Sequence, residues 1–355
     1  MIKTSTIEIN GRNLHIETGR IAKQAGGSVV VTFGETVILV TAVASYEEKE
    51  GQDFLPLSVE YKEMSYAGGK FPGNYFRRDM GRPGEKETLT SRLIDRPLRP
   101  LFPDNFYSEI QIIASVLSTD RQNEADVLAI VGASAALEVS DIPFNGPVAA
   151  VRVGRINGRF VINPTILEQE ECDINLIVAG TKTAVVMVEG GAEFVSESDM
   201  IDAVFFGHQA MQPMIDMQIE MKREVGKPKR QIQPPVRDEV MERKVIETAT
   251  PVIRDAITTP DKGERKNKRD LALKSAMDAL GEGYEDKKPR IKELLDELEK
   301  KMVRKMMLEE GRRIDGRAFN EVRPIECMVG VLPRVHGSAL FTRGETQAMV
   351  LTTLG

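Results

Sequence analysis

A ten-residue segment occurs twice in this chain, and this repetition limits the possible folds more than any other feature. Residues 27–36 read GSVVVTFGET and residues 337–346 read GSALFTRGET, with six identities in ten positions at a constant offset of 310. Apolar residues follow in both copies, so each copy predicts a strand, a turn and a second strand. A duplicated domain is the simpler interpretation, with convergence on a common hairpin as the alternative. Because the second copy reaches Gly355 just after its first hairpin, we expect a truncated second domain.

The region after the first copy mixes strand and helix patterns. Alternating or continuous apolar residues predict strands, at 28–44 (two strands that turn at Gly34-Glu35), 55–61, 110–116, 147–153, 159–163, 173–179 and 184–188. Helical periodicity covers 124–139 and begins again near Ser198, where Pro213 is expected to kink or break the helix. These patterns predict an α+β fold for this region.

The composition changes at residues 226–239, GKPKRQIQPPVRDE, which we interpret as a linker because they lack apolar periodicity. Strand patterns are absent from 237 to 310, and one helical segment carries an apolar stripe formed by Ile291, Leu294, Leu295, Leu298 and Met302. The predicted organisation is a first α+β domain at 1–235, an all-helical domain at 236–311 and the start of a second α+β domain at 312–355.

Composition excludes several classes of protein. The formal net charge is -6, no apolar run approaches the ~18 residues that span a bilayer, and the N-terminus does not resemble a signal peptide. Two distant cysteines, Cys172 and Cys327, argue against a disulfide framework, and the three histidines lack metal-ligand spacing. We therefore expect a cytoplasmic globular protein with no membrane segment.

One stretch of this acidic chain carries a net positive charge. Residues 70–99 contain eight basic and four acidic residues, and within them lies YFRRDMGRP at 75–83. Aromatic rings can stack on bases and guanidinium groups can pair with phosphates, so Tyr75, Phe76, Arg77 and Arg78 are candidate residues for binding single-stranded nucleic acid. The alternative is a loop whose arginines pair with carboxylates of the same chain.

A second group of arginines follows on a predicted helix. Arg92 and Arg96 lie one turn apart, Arg99 comes just beyond, and the three form a candidate anion-binding site. The alternative is an internal ion-pair network with Asp95 and Glu87. The sequence contains no Walker loop, dinucleotide fingerprint or nucleophile elbow.

Residues 71–103, FPGNYFRRDMGRPGEKETLTSRLIDRPLRPLFP, resemble the most recognisable stretch of the polynucleotide phosphorylase family. Residues 312–346, RRIDGRAFNEVRPIECMVGVLPRVHGSALFTRGET, resemble the opening of that family's second ribonuclease-PH-like domain, so the resemblance covers the whole chain. It implies a ribonuclease-PH-like (ribosomal-protein-S5-domain-2-like) core, an all-helical domain and the first hairpin of a second core.

The resemblance also implies a function. The intact protein would phosphorolyse single-stranded RNA from its 3′ end to nucleoside diphosphates, with inorganic phosphate as co-substrate and Mg²⁺ at the second core. It would form a cytoplasmic homotrimer that admits RNA through a pore and could join proteins of an RNA-degradation complex. Residues 75–78 match the loop that grips RNA at the pore, although Asp79-Met80 stand where the family has one acidic residue.

The family's catalytic pattern fails to match this chain's first core. Where the family's second core has a phosphate-binding serine turn, the first core has Glu124, Ala125 and Asp126. Asn175 and Ile177 replace a catalytic Asp and Lys. We therefore predict no catalytic and no metal-binding residue in this chain, which would guide RNA and form trimer contacts. Two other hypotheses stay open: a non-catalytic RNA-binding or structural ring subunit, and a first core acting on a guanine nucleotide.

Overall fold

The structure, a computed structural model, describes residues 2–48, 52, 54–73, 81–232 and 238–355. It divides into two compact units, Met1–Pro235 and Val236–Gly355. The further boundary that the sequence predicts at residue 311 stays a prediction. Among the described residues, no helix is both long and apolar enough to cross a membrane.

A six-stranded sheet forms one half of the first unit. Its strands are β1 (Lys3–Ile9), β2 (Arg12–Thr18), β3 (Gly27–Phe33), β4 (Thr36–Ala44), β5 (Leu57–Glu63) and β6 (Ile110–Ser118). The order is β1-β2-β3-β4-β6-β5, and only the β5–β6 pair is parallel. The sequence patterns predicted β3 to β6 and missed β1 and β2.

A four-stranded antiparallel sheet forms the other half. Its strands are β7 (Ala149–Ile156), β8 (Arg159–Ile162), β9 (Ile174–Gly180) and β10 (Val185–Ala192), in the order β10-β9-β7-β8. Five helices accompany the two sheets: α1 (Glu85–Leu98), α2 (Asp126–Val139), α3 (Ile166–Gln169), α4 (Glu197–Ala210) and α5 (Gln212–Val225). The predicted α+β class is confirmed, and the helix break near Pro213 lies between α4 and α5.

Helix α2 lies at the centre of the first unit. All of its residues are buried, and it contacts β3 and β4 of one sheet, β7 of the other, and α5. Gly132 permits this close packing, because a Cβ there would lie only 2.7 Å from Cγ2 of Val40 and 2.9 Å from Cγ2 of Val31. This packing fixes the position of the N-terminus of α2, where the candidate site begins.

The predicted linker at 226–239 needs correction. Lys227 Nζ donates to a backbone carbonyl at 2.7 Å, and Lys229 Nζ donates to three carbonyls at the C-terminal end of α2. Arg230 Nε pairs with the Asp141 carboxylate at 2.8 Å. The first part of the segment is therefore bound to the first unit, because the unpaired carbonyls of a helix C-terminus attract cations. Residues 233–237 lie outside the described part of the chain.

The second unit contains three helices and a sheet. Its elements are α6 (Glu239–Ile257), α7 (Lys262–Leu280), α8 (Lys288–Glu310), β11 (Ile325–Val329), β12 (Gly337–Arg343) and β13 (Thr346–Thr352). The apolar stripe predicted on α8 packs into the core of the three helices. Strands β12 and β13 repeat the β3–β4 register, with Gly337 opposite Thr352 as Gly27 is opposite Ala42. The predicted equivalence of the two hairpins is confirmed.

Candidate nucleic-acid interface and the first core

The four residues predicted to bind RNA, Tyr75, Phe76, Arg77 and Arg78, lie outside the described residues. Their role therefore stays a prediction. The structure does describe the chain on both sides of 74–80. A short 3₁₀ turn, Ser65–Gly68, precedes this segment, and α1 follows it.

A cavity of about 350 Å³ lies between these flanking segments. Lys70 lines it from the segment before 74–80, and Lys86 lines it from the first turn of α1. Lys86 Nζ lies 3.1 Å from Glu63 Oε1 and 3.3 Å from Glu124 Oε2. Burial alone would lower the pKa of Lys86, but Glu124 and Glu63 outweigh it, and this pKa is raised. Lys86 is thus held as a cation between two carboxylates.

At the N-terminus of α2, an arginine from the opposite sheet fills the space beside the helix. Arg152 of β7 contacts Asp126 Oδ2 at 2.5 Å through Nη2 and Asn175 Oδ1 at 2.7 Å through Nη1. The Arg152 and Asp126 side chains are only 12% and 11% exposed. Arg152, which the sequence analysis missed, therefore joins Asp126 and Asn175. These are two of the positions at which the family resemblance predicted an inactive site. A lone arginine in the apolar strand AAVRVG was the available signal, because buried charges require a partner.

The remaining predicted site residues take different positions. Glu124 reaches Lys86 as described, whereas Ala125 and Ile177 are buried apolar residues of the first core. Asn175 Nδ2 also donates to the Gln169 side chain at 3.4 Å. No nucleophile with an adjacent general base is formed by these side chains.

Two of the three arginines of the candidate anion site have separate carboxylate partners. Arg96 pairs with Glu189 of β10, and Arg99 makes a bidentate pair with Asp95 at 2.9 and 2.6 Å. Arg92 is exposed and has no carboxylate within 4 Å among the described residues. The Asp95 pairing is the alternative that the sequence left open, and a shared anion site stays a prediction. Glu87 instead accepts from two backbone amides, those of Gly84 and Glu63.

A carboxylate that the sequence analysis did not single out organises the chain before α2. Asp120 accepts hydrogen bonds from the backbone amides of Gln122 and Asn123 at 2.8 and 2.9 Å, and from Thr36 Oγ1 at 3.0 Å. Burial alone would raise the pKa of Asp120, but hydrogen bonds from Asn123, Gln122 and Thr36 outweigh it and lower the pKa to about 2. Asp120 thereby joins the β3–β4 turn to the start of α2.

Three family models match consecutive parts of the chain. Domain 1 of the 3′ exoribonuclease family matches residues 10–143, and domain 2 of that family matches 146–210. The RNA-binding domain of polyribonucleotide nucleotidyltransferase matches 240–318. The first unit is thus a core of the 3′ exoribonuclease class, and the predicted ribonuclease-PH-like fold is confirmed.

Full-length relatives identify the particular family. A polyribonucleotide nucleotidyltransferase of Desulfosudis oleivorans is 56% identical over 98% of this chain and 48% of its own length. The protein of the same name from Geobacter sulfurreducens is 50% identical over 98% of this chain and 50% of its own length. The chain belongs to the polyribonucleotide nucleotidyltransferase family, as its sequence resemblance predicted. It spans about half the length of the curated relatives it matches.

Among solved structures, rice Rrp46 is similar at a lower level. It is 14% identical and has a TM-score of 0.46, covering 62% of this chain and 93% of that chain. The family assignment depends on the family models and the full-length relatives alone.

Proposed function

We propose that this chain is the N-terminal part of a phosphorolytic 3′→5′ exoribonuclease and that, within it, the chain guides single-stranded RNA and forms trimer contacts. Catalysis would belong to the second core, in residues beyond its first hairpin. The family models, and the coverage of only about half of each relative, support this division.

The observation that carries the proposal is the Asp126–Arg152–Asn175 contact at the N-terminus of α2. A helix N-terminus attracts phosphate through its free amides, but here the Asp126 carboxylate already accepts from the Val127 amide at 2.7 Å, and Glu124 lies just before the helix. The guanidinium of Arg152 already donates to Asp126 Oδ2 at 2.5 Å and to Asn175 Oδ1 at 2.7 Å. An attacking phosphate would meet like charge at Asp126, and the Arg152 guanidinium beside it is already paired.

Metal chemistry finds no support in the first core either. Within the described part of the chain, no group of three His, Cys, Asp or Glu side chains could hold a metal ion. No step at this core is therefore assigned to Mg²⁺. Mg²⁺ and inorganic phosphate are proposed to act at the second core.

The RNA-guiding role depends on residues 75–78. Tyr75 and Phe76 would stack on bases, and Arg77 and Arg78 would contact backbone phosphates. In the proposed cytoplasmic homotrimer, three copies of this segment would surround the entering strand. Partners would be single-stranded RNA, two further copies of the protein, and proteins of an RNA-degradation complex.

The test is release of ADP from poly(A) by this 355-residue chain, with inorganic phosphate and Mg²⁺ present. We expect no release, while the full-length Geobacter sulfurreducens relative serves as the active control under the same conditions. ADP release by the chain would contradict an inactive first core. In parallel, Arg77→Gln/Arg78→Gln should reduce the salt dependence of RNA binding, with a slope change of about 0.7 for each lost phosphate contact.

A further inference from the structure

The cavity beside α1 combines two features of a site for single-stranded RNA. Its lining includes Ser65, Ala67 and Gly68 of the 3₁₀ turn, together with Lys70 and Lys86, so both segments that flank 74–80 border it. Tyr66 lies in the same turn and is 60% exposed. An exposed aromatic ring in the turn that borders the cavity suits stacking of a base.

The charges of the cavity divide into a paired group, whose two carboxylates and one ammonium leave a net charge of -1, and a group of unpaired cations. Lys86 is shared between Glu63 and Glu124, so these three side chains interact with one another. Lys70 and Arg121 also line the cavity, and neither has a carboxylate within 4 Å among the described residues. The two cations available to an anion are therefore Lys70 and Arg121.

Arg121 is held in place by its backbone. Its φ of 58° lies in the left-handed region, which a residue with a long side chain adopts only when its surroundings impose it. Asp120 accepts from the next two backbone amides, and Arg121 Nη2 donates to the Gly68 carbonyl at 3.0 Å. One donor thus fixes the guanidinium to the 3₁₀ turn and leaves its other N–H groups for a ligand.

We propose that this cavity is a second RNA contact, in which Lys70 and Arg121 bind backbone phosphates, while Tyr66 of the adjoining 3₁₀ turn stacks on a base. It would continue the RNA path from residues 75–78 along the first core. The inference rests on the proposed function, because it requires the chain to bind single-stranded RNA. It adds Tyr66, Lys70 and Arg121 to the RNA-binding residues proposed at 75–78.

The experiment measures binding of a labelled oligo(A) to the 355-residue chain between 50 and 500 mM salt. For Lys70→Gln/Arg121→Gln, the slope of log K against log salt should become shallower by about 1.4, and the affinity at 50 mM salt should fall by about 10- to 100-fold. Tyr66→Ala should lower the affinity by about 5- to 100-fold with an unchanged slope, since stacking involves no counterion release.

A matched control removes two other cations. Lys23 and Arg159 are exposed, have no carboxylate within 4 Å among the described residues, and do not line the cavity. Lys23→Gln/Arg159→Gln should bind RNA as the unchanged chain does. Lys70→Arg/Arg121→Lys, which keeps both charges, should restore the slope and shows whether the loss came from charge or from misfolding.

The outcomes separate the two proposals. If the unchanged chain shows no salt-dependent affinity for oligo(A), the RNA-guiding function and the cavity both fail. If it binds RNA and Lys70→Gln/Arg121→Gln behaves like the control pair, only the cavity fails. If ADP binds the unchanged chain and not this variant while RNA binding is unaffected, the cavity is a nucleotide site and the inference is wrong.

Discussion

The two copies of the repeated hairpin share one backbone and differ in their surroundings. Both have the same strand register, and both turn through a left-handed glycine, Gly34 with φ 62° and Gly344 with φ 60°. Within residues 1–355, Val40 in the first copy is fully buried under α2, whereas its equivalent, Val350, is 54% exposed. Because the register is the same in both surroundings, we attribute it to the local sequence, and we expect packing against a helix to set how strongly each hairpin is stabilised.

The test with the largest expected effect truncates the equivalent valine in each copy. Val40→Ala should destabilise the first unit by about 2 to 3 kcal/mol, because it removes buried methyl groups and leaves a cavity. Val350→Ala should cost below about 0.5 kcal/mol, as expected for an exposed position. Hydrogen exchange of the amides in each hairpin measures the two effects separately, which suits a chain with two compact units.

Equal losses of protection in the two hairpins would contradict the comparison. They would mean that the exposed face of β12–β13 is packed as tightly as that of β3–β4. The unchanged hairpin in each variant serves as the internal control.

The turn glycines provide the next test. Gly344→Ala should cost about 1 kcal/mol, because a left-handed backbone is strained once a Cβ is present. Gly34→Ala should cost more, about 2 kcal/mol or above, since its Cβ would also lie 2.7 Å from Asp120 Oδ2. Loss of amide protection in β3–β4 and β12–β13 measures the two costs, and a larger cost at Gly344 would show that the Asp120 contact adjusts freely.

Asp120 accepts hydrogen bonds from the turn between β3 and β4, and the strength of this contact should depend on pH. Its pKa is lowered to about 2 in the folded chain, so its stabilisation is complete above the unfolded pKa of about 3.9. It should be lost as the pH falls from there through 2. Asp120→Asn should lose about 1 to 3 kcal/mol near neutral pH and should show a weaker pH dependence between 4 and 2.

Urea unfolding at each pH, read by a short hydrogen-exchange pulse at one fixed pH, measures this difference. Glu35→Gln is a suitable control, because it changes an exposed carboxylate of the same turn. If Asp120→Asn kept the full acid dependence of the unchanged chain, another carboxylate would be responsible.

Sequence patterns predicted most of the first unit because its strands are regular. Alternating apolar residues identified β3 to β6, and the ten-residue repeat identified the second hairpin. β1 and β2 were missed because polar residues separate their short apolar series. The pair Asn10-Gly11, with φ of 50° and 73°, was the available hairpin signal.

The candidate site was predictable only in part. The composition of residues 75–78 suggested nucleic-acid binding, and the carboxylates at 124–126 suggested a defective phosphate site. The contact of Arg152 with Asp126 joins residues from a helix and a distant strand, so no local pattern contains it. Lys70 and Arg121 likewise come together through folding, and their separation in the sequence hides the cavity between them.

The smallest expected effect concerns the outer face of each hairpin. Thr32 is opposite Val37 in the first copy, and Thr342 is opposite Gln347 in the second, where Gln347 Nε2 donates to Thr342 Oγ1 at 3.1 Å. Exchanging these residues through Val37→Gln and Gln347→Val should change stability by about 0.5 kcal/mol or less in each hairpin, as cross-strand pairs on a solvated face do. Hydrogen exchange of the flanking amides measures both changes. A loss above about 1.5 kcal/mol in either hairpin, more than such a pair contributes, would show that this face is packed and that the register depends on more than the local sequence.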